Sequence, residues 1–485
     1  MNRNNIWIHI SIAVVLIAFA AVLGQISRWK TALQNPDRGT VSVRVVEIDQ
    51  PFSDGIPEVL VRFKPGISLE KIRTIASNNN DILADEIESV PGLTVIDDLD
   101  NADAEAVASQ YAAMTDAVDY AEVNYRIELD DPIQKDIPRD LVHRESDFEL
   151  PNDPMFGDQW ALNNLGQDGG TKRADLDALR AWATTKGSEE VVVAVLDSGV
   201  DFTHVDLREN MWFRPENIPA YVDDELGPFN DLNGYNGTDN ITDPMDDNGH
   251  GTHCAGIIGA EGNNGEGISG INWKVKIMPL KFLGRGGFGS TNDAIEAINY
   301  AIDRKKKGVN LRVISASWGS TSKSKALEDT IRAAGDAGIL FVAAAGNNGT
   351  NNDSRPHYPS NYDLPNVVSV AALDRNDKLT GFSNFGVKTV HIAAPGKDIL
   401  STWLNDAYRE ASGTSMATPY VSGVAALIVA DKPDISMAQL RERLLNSVDK
   451  LDSLTGKVAS GGRVCAADSL GKNPNHLKHG PDDFR

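Results

Sequence analysis

The first stretch whose apolar pattern reads as folded structure is Glu58-Val59-Leu60-Val61-Arg62-Phe63, closed by the turn signal Lys64-Pro65-Gly66. Such alternation predicts a strand and its exit. A helix-like run follows from Leu69 (LEKIRTIASNN), then a strand at Gly92–Ile96, a second helix near Ala104–Ala113 and a closing strand at Val118–Tyr125. The order strand–helix–strand–helix–strand predicts a small ferredoxin-like α+β unit. From Pro151 the rhythm changes. Strands are predicted at Val191–Leu196, Val275–Leu283, Leu311–Ser317, Ile339–Ala345, Val367–Ala372 and Val390–Ala394, with helices at Ala294–Lys307, Lys325–Ala337, Val421–Ala430 and Met437–Val448. Alternating strands and helices imply a mainly parallel sheet covered on both faces, a three-layer α/β fold. Gly308 and Gly338 stand where helix C-caps are expected.

The flanks complete the organisation. Arg3 precedes an apolar run from Ile6 to Leu23, broken only by His9 and Ser11. It reads as a signal peptide or an anchoring helix within residues 1–28, and either reading implies export, extracellular or periplasmic. A polar linker over 29–57 leads to the α+β unit at 58–127. Residues 128–150 form an acidic linker with Pro132 and Pro138, an exposed connection suited to processing. The α/β region spans 151–470, and a tail over 471–485 has no apolar pattern and is expected to be disordered.

A chain of 485 residues with 41% hydrophobic content can bury a large core in two or three units. Its net charge of −23 argues against nucleic acid as a partner. Residues 81–150 carry 20 Asp and Glu against 4 Lys and Arg, or −16, so the excess lies mainly before the α/β region. Only Cys254 and Cys465 are present, which rules out a disulfide framework.

Open α/β sheets bind ligands beyond the carboxyl ends of their strands, and three segments concentrate chemistry there. They are VVVAVLDSGVD around Asp197, DNGHGTHCAG around His250 and SGTSMATPYVSG around Ser415. A serine hydroxyl needs an imidazole to take its proton and a carboxylate to orient that imidazole. Asp…His…Ser in this order, with these flanks, resembles the subtilisin-like serine proteases (subtilases, peptidase family S8), closest in pattern to their thermitase-like branch. The resemblance runs from about Val59 to Leu470. It implies that Ser415 is the nucleophile, His250 the general base and acid, and Asp197 the orienting carboxylate. His253 is then a helix-packing residue, and a metal site at His250 and His253 lacks a third ligand. Cys254 reads as a buried residue behind the site.

The same resemblance assigns further residues. Asn347, after AAAG, matches the family's oxyanion-hole asparagine, with the Ser415 N–H as second donor, while Asn348 reads as a turn residue. Gly287-Phe288-Gly289 and Ser317-Trp318-Gly319 match two substrate-binding edges, between which a peptide adds as a strand. Ser315 departs from an asparagine common in the family. His357, in DSRPHYPSNY, lies near the expected floor of the primary pocket; without an acidic pair there, broad cleavage with apolar preference is expected. The layout ending in YAEVNY resembles the family's I9-type propeptide, an intramolecular inhibitor whose end lies in the cleft. A structural calcium ion is implied, with side-chain ligands Asp153, Asp206 and Asn264 and carbonyls of Glu261, Glu266 and Ile268. The 53 positions from Asp197 to His250 include an Asp/Asn-rich insertion that could hold another calcium or be a plain surface loop.

The expectation is therefore a secreted, autoprocessed serine endopeptidase acting on protein or peptide substrates as a monomer, with membrane anchoring through the N-terminal run left open. A catalytically silent peptide-binding relative is the rival, and a complete triad with Asn347 argues against it. An α/β-hydrolase esterase would need GxSxG and the order Ser…acid…His, which are absent.

Overall fold

The computed structural model describes residues 58–129, 133–136, 150–223, 227–229, 231–238 and 243–471. The N-terminal apolar run, the polar linker, most of the acidic linker and the tail after residue 471 lie outside the described residues. Strand β1 (Glu58–Phe63) carries Val59, Leu60 and Val61 in succession, all fully buried, because both of its faces are covered. One face packs under helices α1 (Leu69–Asn78) and α2 (Ala104–Ala112), where Val59, Val61, Ile72, Val107 and Tyr111 form a core. Each helix starts at a side-chain cap: Ser68 accepts from the Lys71 N–H and Asp103 from the Ala106 N–H. The sheet also contains β2 (Asp81–Glu86), β3 (Leu93–Asp98) and β4 (Val118–Val123), antiparallel in the order β2-β3-β1-β4. This completes the ferredoxin-like β-α-β-β-α-β layout. Strand β2 was not predicted, for a physical reason. It is a sheet edge with Ile82 half-exposed, so its sequence DILADE has no apolar period.

The sheet's other face belongs to the large domain. Leu60, Leu93 and Val95 share a buried cluster with Ile298, Leu327 and Ile331. These come from helices α5 (Thr291–Lys306) and α6 (Lys325–Asp336); the short α3 (Ala178–Trp182) and α4 (His250–Gly259) precede them. Polar contacts fix the docking. Glu122 at the end of β4 accepts from the Ser324 hydroxyl at 2.5 Å and from the Lys325 and Ala326 N–H groups at 2.9 and 3.1 Å, which caps α6. Burial nevertheless pushes the Glu122 carboxyl above the usual range. The Asn124 side chain accepts from the Asn292 N–H at 2.9 Å in the first turn of α5.

After β4 the chain forms β5 (Arg126–Glu128) and β6 (Ile133–Asp136), both paired to the large domain. That domain is built on nine strands. They are β7 (Gly187–Asp197), β10 (Tyr235–Asn236), β11 (Lys274–Lys281), β13 (Leu311–Ala316), β14 (Leu340–Ala344), β15 (Val367–Leu373), β16 (Ile392–Pro395), β19 (Val448–Lys450) and β20 (Gly462–Val464). In space they run β10-β11-β7-β13-β14-β15-β16-β20-β19, parallel except for the last pair. Outside this sheet lie a small hairpin, β8 (Val222–Asp223) with β9 (Gly227–Pro228), strand β12 (Phe288–Ser290) and the hairpin β17 (Ile399–Trp403) with β18 (Ala407–Ser412). Helices α7 (Thr414–Asp431), α8 (Met437–Asn446) and α9 (Ala466–Ser469) complete the layers. Helix α7 is buried from Thr414 to Val429, the mark of a helix enclosed on all sides.

Candidate active site

The parallel sheet brings the expected chemistry to one edge. Asp197 is the last residue of β7, Asn347 follows β14 by three residues, His250 opens α4 and Ser415 is the second residue of α7. His250 Nδ1 lies 2.7 Å from Asp197 Oδ1, both side chains being buried; the same oxygen accepts from the Ser198 N–H at 2.7 Å. Close approach depends on Gly251, where a Cβ would stand 2.0 Å from the Gly199 carbonyl oxygen and 3.1 Å from Asp197 Cβ.

The start of α4 is fixed by a residue that sequence reading did not single out. Asp246 accepts from the Asn248, Gly249 and Thr252 N–H groups at 2.9, 3.0 and 2.9 Å, and from the hydroxyls of Ser198 at 2.9 Å and Thr252 at 2.6 Å. It caps the histidine helix and ties it to the residue after Asp197. No local signature marks it, since the residue at the cap position is Gly249 and Asp246 reaches the helix from three residues further back.

Ser415 is held through its backbone. Pro419 lacks an N–H, so the Ser415 carbonyl has no α-helical donor four residues on. It accepts instead from the Ser317 hydroxyl at 2.9 Å and the Cys254 thiol at 3.5 Å. The Ser415 hydroxyl donates back to the Ser317 carbonyl at 3.0 Å. Cys254 thus stands behind the site as expected, and burial holds its thiol well above the ordinary range. Ser315 bonds to Ser422 on α7 at 2.9 Å.

Asn347 is oriented by the next link: its Oδ1 accepts from the Thr414 N–H at 2.8 Å and hydroxyl at 3.0 Å. Its buried Nδ2 has no partner among the described residues and faces Gly413, whose added Cβ would lie 3.2 Å from it and 3.5 Å from the Ser415 nitrogen. Two nitrogen donors thus lie close to one point beside Gly413, a pairing suited to a developing oxyanion.

The two predicted edges hold a peptide, and it is this chain's own. Strand β5 pairs antiparallel with β12, Ile127 opposite Gly289, while Glu128 also bridges Gly319 and the Leu129 N–H donates to the Gly287 carbonyl at 2.9 Å. The roles of the two aromatic residues differ. The indole of Trp318 is buried, donating to the Leu196 carbonyl at 2.9 Å, so that residue offers only backbone to the cleft. The ring of Phe288 lies 3.7 Å under the Arg126 guanidinium. His357 lies next to the Gly319 edge. Its ring fills the space between Gly319 and Gly346, where added Cβ atoms would come within 2.0 and 2.9 Å of it.

His253 packs as expected. Its Nε2 lies 3.1 and 3.0 Å from the Ile399 and Arg409 carbonyls, which commits that nitrogen to packing against the β17–β18 hairpin, and burial lowers its pKa to about 3. Of the suggested cation ligands, Asp153, Asp206 and Asn264 are linked by hydrogen bonds. Asp153 accepts from the Asn263 and Asn264 N–H groups at 2.8 and 3.0 Å, and Asp206 from the Asn264 amide at 2.8 Å and the Ile268 N–H at 2.9 Å. Burial, with Asp206 nearby, raises Asp153 to about 6, and burial also raises Asp206. The carboxylates of Asp153 and Asp206 are oxygen donors of the kind a hard cation takes, and the Asn264 amide could join them by turning its oxygen, which here accepts from the Glu266 N–H at 2.8 Å. The Glu261 side chain pairs with Lys274 at 2.6 Å, which leaves only its carbonyl for such a role. In the insertion before His250, Asp231 is paired with Arg214 at 2.8 Å and Arg304 at 2.9 Å, so a second cation there would lack that carboxylate.

A parallel α/β sheet that presents Asp, His and Ser from one strand end and two helix starts defines the class of subtilisin-like serine proteases. Residues 188–464 match the subtilase family, Peptidase_S8, and the chain belongs to that family. It is 38% identical over 313 residues to a thermophilic serine proteinase of Bacillus sp. (strain AK1), covering 64% of this chain and 69% of that protein. It is 35% identical over 316 residues to thermitase of Thermoactinomyces vulgaris, covering 65% and 97%. Among solved structures, a protease from Pseudoalteromonas arctica PAMC 21717 is similar at TM-score 0.55 and 30% identity, over 67% of this chain and 99% of that one. Fervidolysin from Fervidobacterium pennivorans, a keratinolytic enzyme related to subtilisin, shares the fold at TM-score 0.68 and 24% identity, over 87% of this chain and 62% of that one.

Proposed function

We propose that this chain is an exported serine endopeptidase made as a zymogen. Residues 58–127 serve as its inhibitory propeptide, 128–150 contain the processing site and 151–470 form the catalytic domain. The observation that carries the reading is β5 lying antiparallel between the edges at Gly287–Ser290 and Gly319, beside the bonded Asp197–His250 pair. Ser415 Oγ attacks the scissile carbonyl carbon, and His250 takes the hydroxyl proton and delivers it to the leaving amine as the C–N bond breaks. Water then hydrolyses the acyl-serine by the reverse proton path. Asp197 holds the imidazole orientation and stabilises its charged form. The oxyanion is received by Asn347 Nδ2 and the Ser415 N–H. Calcium, held by Asp153, Asp206, Asn264 and the carbonyls of Glu261, Glu266 and Ile268, would supply positive charge that pins the 261–268 loop. Export rests on the apolar run at 6–23; among the described residues no helix is long and apolar enough to cross a membrane. The test treats the processed protein with a fluorophosphonate and assays casein hydrolysis beside Ser415→Ala. Labelling and cleavage in wild type alone support the reading, and wild type that neither labels nor cleaves refutes it.

A further inference from the structure

Every polar group of Ser198, the residue after Asp197, is committed to the site. Its N–H donates to Asp197 Oδ1 at 2.7 Å. Its hydroxyl donates to Asp246 at 2.9 Å and accepts from the Gly251 N–H at 3.0 Å. Its carbonyl accepts from the ammonium of Lys281 at 2.7 Å. Lys281 is 5% exposed and ends β11, directly opposite Asp197 in the parallel pair β11–β7. The ammonium also donates to the Leu283 carbonyl at 2.9 Å and to Asp247 Oδ1 at 2.7 Å, so all three of its donors are used. One buried cation thereby joins three segments: the turn after Asp197, the loop that enters the histidine helix and the start of the run to the Gly287 edge.

We propose that Lys281 is a positioning residue for the triad, a fixed positive charge that holds Ser198 and Asp247 in place and keeps His250 unprotonated as the base. The inference rests on the protease reading above. A general base works only while it is free of its proton. Two buried carboxylates, Asp197 and Asp246, lie on either side of Ser198, and both favour a proton on His250. Asp247 acts in the same sense, but its side chain is half-exposed and its field is screened. Lys281 opposes all three from inside the protein, where screening is weak. Among the described residues the other titratable groups packed against α4 and its entry loop do not take its place. Asp201, whose N–H donates to the Thr252 hydroxyl, is a further acid. His253 and Cys254 are held uncharged by burial. Arg409 on β18 is turned to Trp403, its guanidinium 4.8 Å from that ring's centre, and α7 brings no charged residue before Asp431. A buried ion pair adds little net stability by itself, so the consequence of Lys281 lies in what it does to its neighbours.

The test uses the full chain after it has processed itself, at a fixed excess of calcium, and follows the rate of fluorophosphonate labelling of Ser415 against pH. The midpoint of the acid limb reports the protonation of His250 in the free enzyme. Lys281→Met, similar in length and uncharged, should move this midpoint up by about one unit, the effect of a charge about 10 Å away at an effective dielectric constant of about 20. Lys281→Gln also lacks the charge and should move it as far, while Lys281→Arg should slow labelling but leave the midpoint in place. A merely structural role would slow labelling in all three and shift the midpoint in none. Neutral variants that keep the wild-type midpoint therefore overturn the proposal. If neither neutral variant folds, Asp247→Asn decides: with its counter-charge gone, Lys281 should move the midpoint down, and an unmoved midpoint overturns the proposal. Labelling in wild type separates the two levels. Labelled wild type with unshifted variants defeats this inference alone, while wild type that neither labels nor cleaves defeats the protease reading with it.

Discussion

Removing the proposed calcium should make the protein's stability depend on pH in a direction that Asp153 dictates. In the fold the Asp153 carboxyl is raised from 3.8 to about 6, chiefly by burial and further by Asp206. A raised folded pKa means that protonation favours the fold. The contribution is fully present below the unfolded value and is lost as pH rises through about 6. A shift of about two units corresponds to about 3 kcal/mol, lost between roughly pH 4 and pH 7. Asp206, raised by the same burial, adds to the loss in the same direction. A bound calcium ion reverses this, since it needs both carboxylates ionised and stabilises by about 2.7 kcal/mol at a hundredfold excess over its Kd. The measurement is urea denaturation of full-length Ser415→Ala, which removes self-cleavage, at pH 5 and 7.5 with EDTA or calcium. The chelated protein should lose up to about 3 kcal/mol at the higher pH, and the calcium-loaded protein should not. Adding Asp153→Asn, an uncharged mimic of the protonated acid, should flatten the pH dependence in EDTA and abolish the calcium effect. Chelated protein equally stable at both pH values would refute the reasoning.

Further tests concern the other named residues. Asn347→Ala should lower kcat about a hundred- to thousand-fold with little change in KM; that size is known from the oxyanion-hole asparagine of another subtilisin, not worked out from this structure. Asp246→Ala should leave a folded protein, by circular dichroism, whose kcat has fallen about five- to thirtyfold, if the whole of the roughly 1–2 kcal/mol of the cap that aims His250 is lost from the transition state. Glu122→Ala should shorten the lag before casein hydrolysis begins, weakening propeptide docking by about 1–2 kcal/mol through loss of the α6 cap; an unchanged lag would show that the cap does not hold the propeptide. His357→Gly should open the slot beside Gly319 and raise kcat/KM for peptides with a large aromatic residue before the scissile bond by at least about tenfold, the scale of a few buried methylenes.

What the sequence made legible follows from where local pattern and chemistry coincide. The six predicted strands of the large domain were found within a few residues, since parallel strands buried on both faces are continuous apolar runs. The triad, Asn347 and the glycine-flanked edges stood out because each lies at a strand end or a helix start. What escaped was set by partners distant in sequence. Edge strand β2 is too polar to show a period. Ser415 opens helix α7 as read, but the tertiary donors that its carbonyl takes because Pro419 lacks an N–H have no local pattern. The burial of the Trp318 indole, the capping by Asp246 and Glu122, and the addition of β6 to β18 are likewise tertiary events with no local signature.

The central proposal is that Ser415 cuts this chain's own backbone. Intact mass spectrometry of purified full-length protein, wild type beside Ser415→Ala, followed over time, tests it most directly. The account predicts that wild type separates into two fragments with a break between Leu129 and Ile133, while Ser415→Ala keeps its full mass. Cleavage at the same place and rate in Ser415→Ala, or wild type that stays whole, would contradict it.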